Sequence, residues 1–186
     1  MQVKGSIFVE FVKAIRVGNR TGMFDKYLTD ADREIVSQRI MPNLWYPYET
    51  FKHCLNAFYE VVANKNLDTI KAWGKMYSEM VMLKIYAAIL KHDDPLSFIK
   101  RIGVFERNFF DFGTAVAVLE GNNQAVYTIT DMDPQYAPFQ YMIRGWVERT
   151  AELCGAKDLK CTVLSKSWEG DANTSVRLTW IVEKSS

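Results

Sequence analysis

The feature that most limits what this chain can become is a change of hydrophobic period at Gly113. Before it, apolar residues return every three or four positions; after it they alternate, apart from one helical interlude between Pro138 and Gly155. A helix buries one stripe and a strand one face, so the two periods dictate helices first and then a β-β-α-β-β unit. The fold class is therefore α+β, an N-terminal helical section (1–113) followed by an antiparallel sheet section (114–186) packed on helices. Neither section could cover its own apolar face alone, and no linker, repeat or low-complexity tract divides them, which makes 1–186 one α+β domain.

Local signals set the expected boundaries. Ser6 caps a helix carrying Phe8, Phe11, Val12 and Ile15 that ends near Gly18, and Thr29 with Asp32 forms a capping box for a short helix toward Ile40. Pro47 presets the first turn of a helix whose stripe is Phe51, Cys54, Leu55, Phe58, Val61 and Val62. From Leu67 to Lys91 there are two apolar rows, Trp73, Met76, Met80, Leu83, Ala87 and Leu90 beside Tyr77, Val81, Ile85 and Ala88, as expected of a central helix. Asp94 caps and Pro95 opens the next helix, with Phe98, Ile102, Phe105, Phe109 and Phe112 as its stripe and Gly113 as its stop. Strands are expected at Thr114–Glu120 and Gln124–Met132 around Gly121-Asn122-Asn123, and at Lys160–Trp168 and Thr174–Val182, with Val176, Leu178, Trp180 and Val182 on one face.

Charge and cysteine usage narrow the partners. With 23 Lys plus Arg against 22 Asp plus Glu, the chain lacks the basic footprint of a nucleic-acid binder. The opening residues have no long apolar core of a secretory signal, and Met80–Leu90, interrupted by Lys84, is too short to span a membrane. Three cysteines, Cys54, Cys154 and Cys161, form no C-x-x-C pair, which fits a reduced, cytoplasmic setting.

No catalytic residue and no metal site is assigned, because no nucleophile elbow, P-loop or dinucleotide fingerprint occurs. His53 falls among Asn56, Glu60 and Asn64 and reads as a solvated residue; His92, at a helix end beside Asp93 and Asp94, reads as a dipole partner. Cys54 and Cys154 lie on apolar stripes as small hydrophobes, and an enzymatic reading would need Cys161 or His92 with a perturbed ionisation inside a cleft. The candidate ligand-binding set is Trp73, Met76, Tyr77 and Met80, since Met adapts to irregular ligands and Trp and Tyr join apolar bulk to a donor; core packing is the plainer account of the same spacing. Between Asn108 and Ile143 four acids, Asp111, Glu120, Asp131 and Asp133, occur without a Lys or Arg, a solvated sheet edge or a docking face for a basic partner.

Short motifs, Val3-Lys4-Gly5-Ser6, Trp45-Tyr46-Pro47, Asp94-Pro95, Gly113-Thr114-Ala115, Cys154-Gly155-Ala156, Cys161 and Leu178-Thr179-Trp180, resemble an uncharacterised family expanded in myxobacteria and their relatives. At a greater distance the element order resembles the fold shared by haem nitric-oxide-binding sensors, vinyl-reductase-like ligand domains and a class of vesicle-tethering subunits. That resemblance implies an apolar ligand or a protein partner. The haem sensors carry Tyr-x-Ser-x-Arg, which this sequence lacks, so no cofactor is expected and haem is disfavoured. The expectation is a non-enzymatic sensory or regulatory module binding a small apolar ligand or relaying through a protein partner; the alternative is a constitutive homodimeric interaction module with a solid core and no ligand.

Overall fold

The computed structural model describes residues 1–18, 21–84, 86–87, 90 and 94–181. The chain opens with β1 (Gln2–Lys4), which leads without a break into α1 (Gly5–Gly18). β1 pairs antiparallel with β2 (Trp45–Pro47), Val3 opposite Tyr46, and Val3 also bridges to Phe110. Three-residue strands are too short to show alternation, so neither was expected. Ser6 is not the cap of α1. The helix begins one residue earlier, and the N–H groups of Gly5 and Ser6 donate to the carbonyls of Leu44 and Pro42 at 2.8 and 2.9 Å.

The capping box at Thr29 and Asp32 opens α2 (Asp30–Ser37), which stops short of Ile40. α3 (Tyr48–Ala57) follows with Pro47 as its N-cap, and the next five residues, Phe58–Val62, form a π-helical turn. The wider turn rotates the stripe: Phe58 remains buried while Val62, expected in the core, is 52% exposed. α4 (Leu67–Lys84) buries Ile70, Gly74, Tyr77, Ser78, Val81 and Met82. The core face is thus the Tyr77 row, and the Trp73 row lies at its margin with Met76 and Leu83 exposed. The expected continuation to Lys91 falls largely outside the described residues, as does His92.

Asp94 accepts from the N–H of Ser97 and caps α5 (Pro95–Glu106). That helix ends seven residues before Gly113, and Phe109 and Phe110 continue the buried surface in the following turn. The sheet comprises β3 (Thr114–Leu119), β4 (Gln124–Thr130), β5 (Lys157–Ser165) and β6 (Thr174–Ile181) in the order β3-β4-β6-β5, antiparallel throughout. α6 (Ala137–Leu153) connects β4 to β5. β5 starts and ends three residues earlier than expected, because Ser167–Glu169 close a 3-10 turn.

Ala125, Tyr127 and Ile129 of β4 and Val176, Leu178 and Trp180 of β6 point inward, joining Phe8, Phe51 and Ile70 of the front section in one apolar cluster. Behind that cluster α4 and α6 pack at backbone contact. A Cβ on Gly74 would lie 2.2 Å from the carbonyl oxygen of Met142, and one on Gly145 would lie 2.0 Å from that of Lys71. Two reciprocal glycines let the backbones touch, which fixes how α4 is presented on its other side.

Candidate functional site

Opposite the α6 contact, α4 and the π-turn after α3 enclose an open cleft of about 280 Å³ lined by Phe58, Val62, Ala63, Ile70, Trp73 and Met76, among others. Thr69 supplies its one hydroxyl. The floor is a stacked pair, Phe58 on Trp73, with ring centroids 4.4 Å apart, and Phe11 meets both rings edge-on from beside the stack, at 4.5 Å from Trp73 and 5.9 Å from Phe58. Val62 and Met76, 52% and 54% exposed, flank the opening.

Local backbone chemistry shapes this wall. The π-turn closes with the N–H of Ala63 on the carbonyl of Phe58, and Asn64 and Lys65 then take φ values of 47° and 60°. Two consecutive non-glycine residues in the left-handed region store strain, which persists where surrounding contacts over-determine it and is frequent at ligand sites. Here the restraint is Asn66, whose Oδ1 accepts from the N–H groups of Asp68 and Thr69 and so starts α4.

The structure separates the four residues singled out by sequence. Trp73 and Met76 line the cleft. Tyr77 turns into the core, where its hydroxyl donates to the carbonyls of Ser6 and Ile7 and fastens α4 to the start of α1. Burial pushes the Tyr77 phenol well above its ordinary range, so it is a fixed donor. Met80 is half-buried against the core outside the lining. Phe58, Val62, Ala63 and Ile70 also line the cleft and were missed from sequence, because the π-turn that turns Val62 outward leaves no mark on residue spacing.

The titratable groups elsewhere serve the frame. His53 is not simply solvated: its Nδ1 lies 2.7 Å from Oδ2 of Asp32, a buried carboxylate that also closes the α2 capping box. Burial alone would raise the Asp32 carboxyl, but hydrogen bonds from Thr29, Thr50 and His53 hold it below the usual value. Cys54 and Cys154 are buried, and burial together with Asp32 pushes the Cys54 thiol up to about 12. Burial and the neighbouring Glu148 likewise push Cys161 up, the opposite of nucleophile activation. Glu148 of α6 bridges Lys71 and Lys75 of α4 at 2.7 and 3.1 Å. Glu79 of α4 pairs in turn with Arg149 of α6, so α4 is apolar toward the cleft and carries charges of both signs toward α6.

The acid-only segment is not one surface. Asp133 is turned inward, accepting from the Tyr48 hydroxyl at 2.7 Å and pairing with Lys52 at 2.8 Å, and Glu120 pairs with Arg177. Among the described residues no group of three or more His, Cys, Asp or Glu is placed to hold a metal ion. No helix among them is long and apolar enough to cross a membrane.

No family model and no curated protein sequence matches the chain. Solved structures do. An H-NOX protein from S. oneidensis in the Fe(II)NO ligation state matches with a TM-score of 0.70 at 14% identity, over 96% of this chain and 99% of that one. The unliganded Fe(II) H-NOX protein from K. algicida matches at 0.67 and 14% identity over 97% of each chain, and a point mutant of T. tengcongensis H-NOX at 0.66 and 9% identity over 95% and 97%. These likenesses establish a shared fold.

The described side chains do not fit a haem. His53 is the one histidine among them, and it is engaged with Asp32 at the α2–α3 contact. The interior between α4, α5 and α6 is filled by Tyr77, Phe109 and Trp146, with centroids 5.9 Å (Tyr77 to Trp146) and 5.2 Å (Phe109 to Trp146) apart.

Proposed function

We propose that this chain is a one-domain, non-enzymatic sensory or regulatory module, working in a reducing cytoplasmic setting, that takes a small uncharged apolar ligand in the cleft beside α4. The observation that carries this reading is the lining: an apolar concavity with a stacked aromatic floor, half-exposed Met76 and Val62 at its mouth, and Thr69 as its only hydroxyl. With no cation in the wall, the ligand has no carboxylate or phosphate to neutralise. Trp73 and Met76 contact it; Tyr77 and Met80 position α4. The H-NOX structures lend support as a frame whose members are described with Fe(II), NO or heme; the uncharacterised myxobacterial-type family that the short motifs resemble, though no family model matches the chain, is the place to look for the same lining.

Native mass spectrometry and an absorbance spectrum of the purified chain test this. The expected result is a co-purifying small molecule without a Soret band, lost on Met76→Glu. That variant places a charge at a half-exposed position and leaves the core untouched. An empty protein that also fails to take up a neutral aromatic probe would refute it. A second reading, a homodimeric interaction module, draws on Val116 and Val118 of β3, 56% and 61% exposed on an edge strand that lacks charge and proline. It predicts an empty dimer in the same spectrum, dissociated by Val118→Lys.

A further inference from the structure

A second cavity, about 130 Å³, lies between the end of α5 and the start of β3. Phe110, Phe112, Ala115 and Met132 form its apolar walls, and two ionisable residues, Glu106 and Arg107, border it. Glu106 is buried; its Oε1 accepts from the hydroxyl of Tyr127 and its Oε2 has no partner. Arg107, at the C-cap of α5, is exposed and makes no ion pair among the described residues.

We propose that this cavity is a separate binding site for a ring-sized organic monoanion, its apolar body among Phe110, Phe112 and Met132 and its carboxylate on Arg107. Size argues for a single ring, since a dry apolar cavity of about 150 Å³ holds benzene. Charge argues for an anion. Arg107 is the exposed charge of the lining, and its planar fork suits a carboxylate. Burial keeps the Glu106 carboxyl protonated to about pH 8, so its wall does not repel an anion at neutral pH. An ammonium group would instead meet Arg107.

The test is NMR titration of the full chain with benzoate, benzyl alcohol and benzylamine. Benzoate is expected to give saturable amide shifts centred on Gly103, Arg107, Gly113 and Ala115. Benzyl alcohol should bind about tenfold more weakly, the loss of one charge-assisted contact, and benzylamine not at all. Arg107→Gln should reduce benzoate affinity to the level of the alcohol with unchanged thermal unfolding, and Met76→Glu should leave it alone. Absence of saturable benzoate shifts at these amides, equal binding of benzylamine, or indifference to Arg107→Gln would each overturn the proposal.

Discussion

Replacing Glu106 by glutamine should make the protein more stable at pH 8 and not at pH 5. Its carboxyl lies at the buried end of α5 with only the Tyr127 hydroxyl for company. Desolvation is the larger effect and raises its pKa from 4.5 to about 8, although the Tyr127 hydrogen bond opposes the shift. The folded state therefore binds more protons than the unfolded state between those values. Glu106 contributes its full stability below about pH 4.5 and loses it as pH rises through about 8. At about 1.4 kcal/mol per unit, the loss across the window is on the order of 3 to 5 kcal/mol. Urea unfolding of both proteins, followed by far-UV circular dichroism at several pH values from 5 to 8.5, isolates the effect, because every other titration cancels in the difference between them. At pH 5 the amide, which can still accept from Tyr127, should cost no more than about 1 kcal/mol. The difference should then move in favour of the Glu106→Gln variant at up to about 1.4 kcal/mol per pH unit. A difference that stays flat with pH would refute the account of a desolvated, proton-holding Glu106.

Three further changes probe the frame. Gly145→Ala drives a methyl group to within 2.0 Å of the Lys71 carbonyl and should cost about 1 to 3 kcal/mol in thermal unfolding, a steric effect absent at Gly170, which faces open space. Asp32→Asn takes the charge from the N3 side of the capping box and from the His53 contact. It should cost about 1 to 2 kcal/mol near pH 7, and because the Asp32 pKa is lowered, that cost should fade as pH drops below about 3.8, seen in acid titration of stability. Cys161, its thiol pushed up by burial and Glu148, should react with iodoacetamide more slowly at pH 7 than it does in urea, read by mass spectrometry; rapid selective alkylation of the folded protein would instead reopen an enzymatic role.

What sequence made legible was what neighbouring residues decide among themselves. The Thr29–Asp32 box, Asp94 ahead of Pro95, and the hairpin around Gly121 are each satisfied within four or five residues, and each is present. The choice between the two apolar rows of α4 was settled by another helix. Gly74 and Ser78 share the Tyr77 side because α6 passes there at backbone contact, and two small residues four apart were the available signal for it. Glu106 was equally readable, four residues after Ile102 and seven after Ile99, on the buried stripe. The Asp32–His53 pair joins two helices, and spacing within one helix says nothing of it.

The likeness of frame and the identity of the side chains pull in different directions, and energetics says which governs whether the centre can open. To admit a planar group between α4, α5 and α6, Tyr77, Phe109 and Trp146 would have to leave a packed interior. Emptying one such position costs about 3 to 5 kcal/mol, so clearing three would consume much of the roughly 5 to 15 kcal/mol by which a domain is stable. The side of α4 that meets this centre is held to both neighbours, to α1 through the Tyr77 hydroxyl and to α6 through the Gly74–Gly145 crossing. A rigid α4 cannot relax to cover Trp73 and Met76, and the π-turn carries Val62 outward beside them. The open apolar cleft is thus a consequence of the solid centre, and the binding we propose falls on the flank of α4, away from that centre.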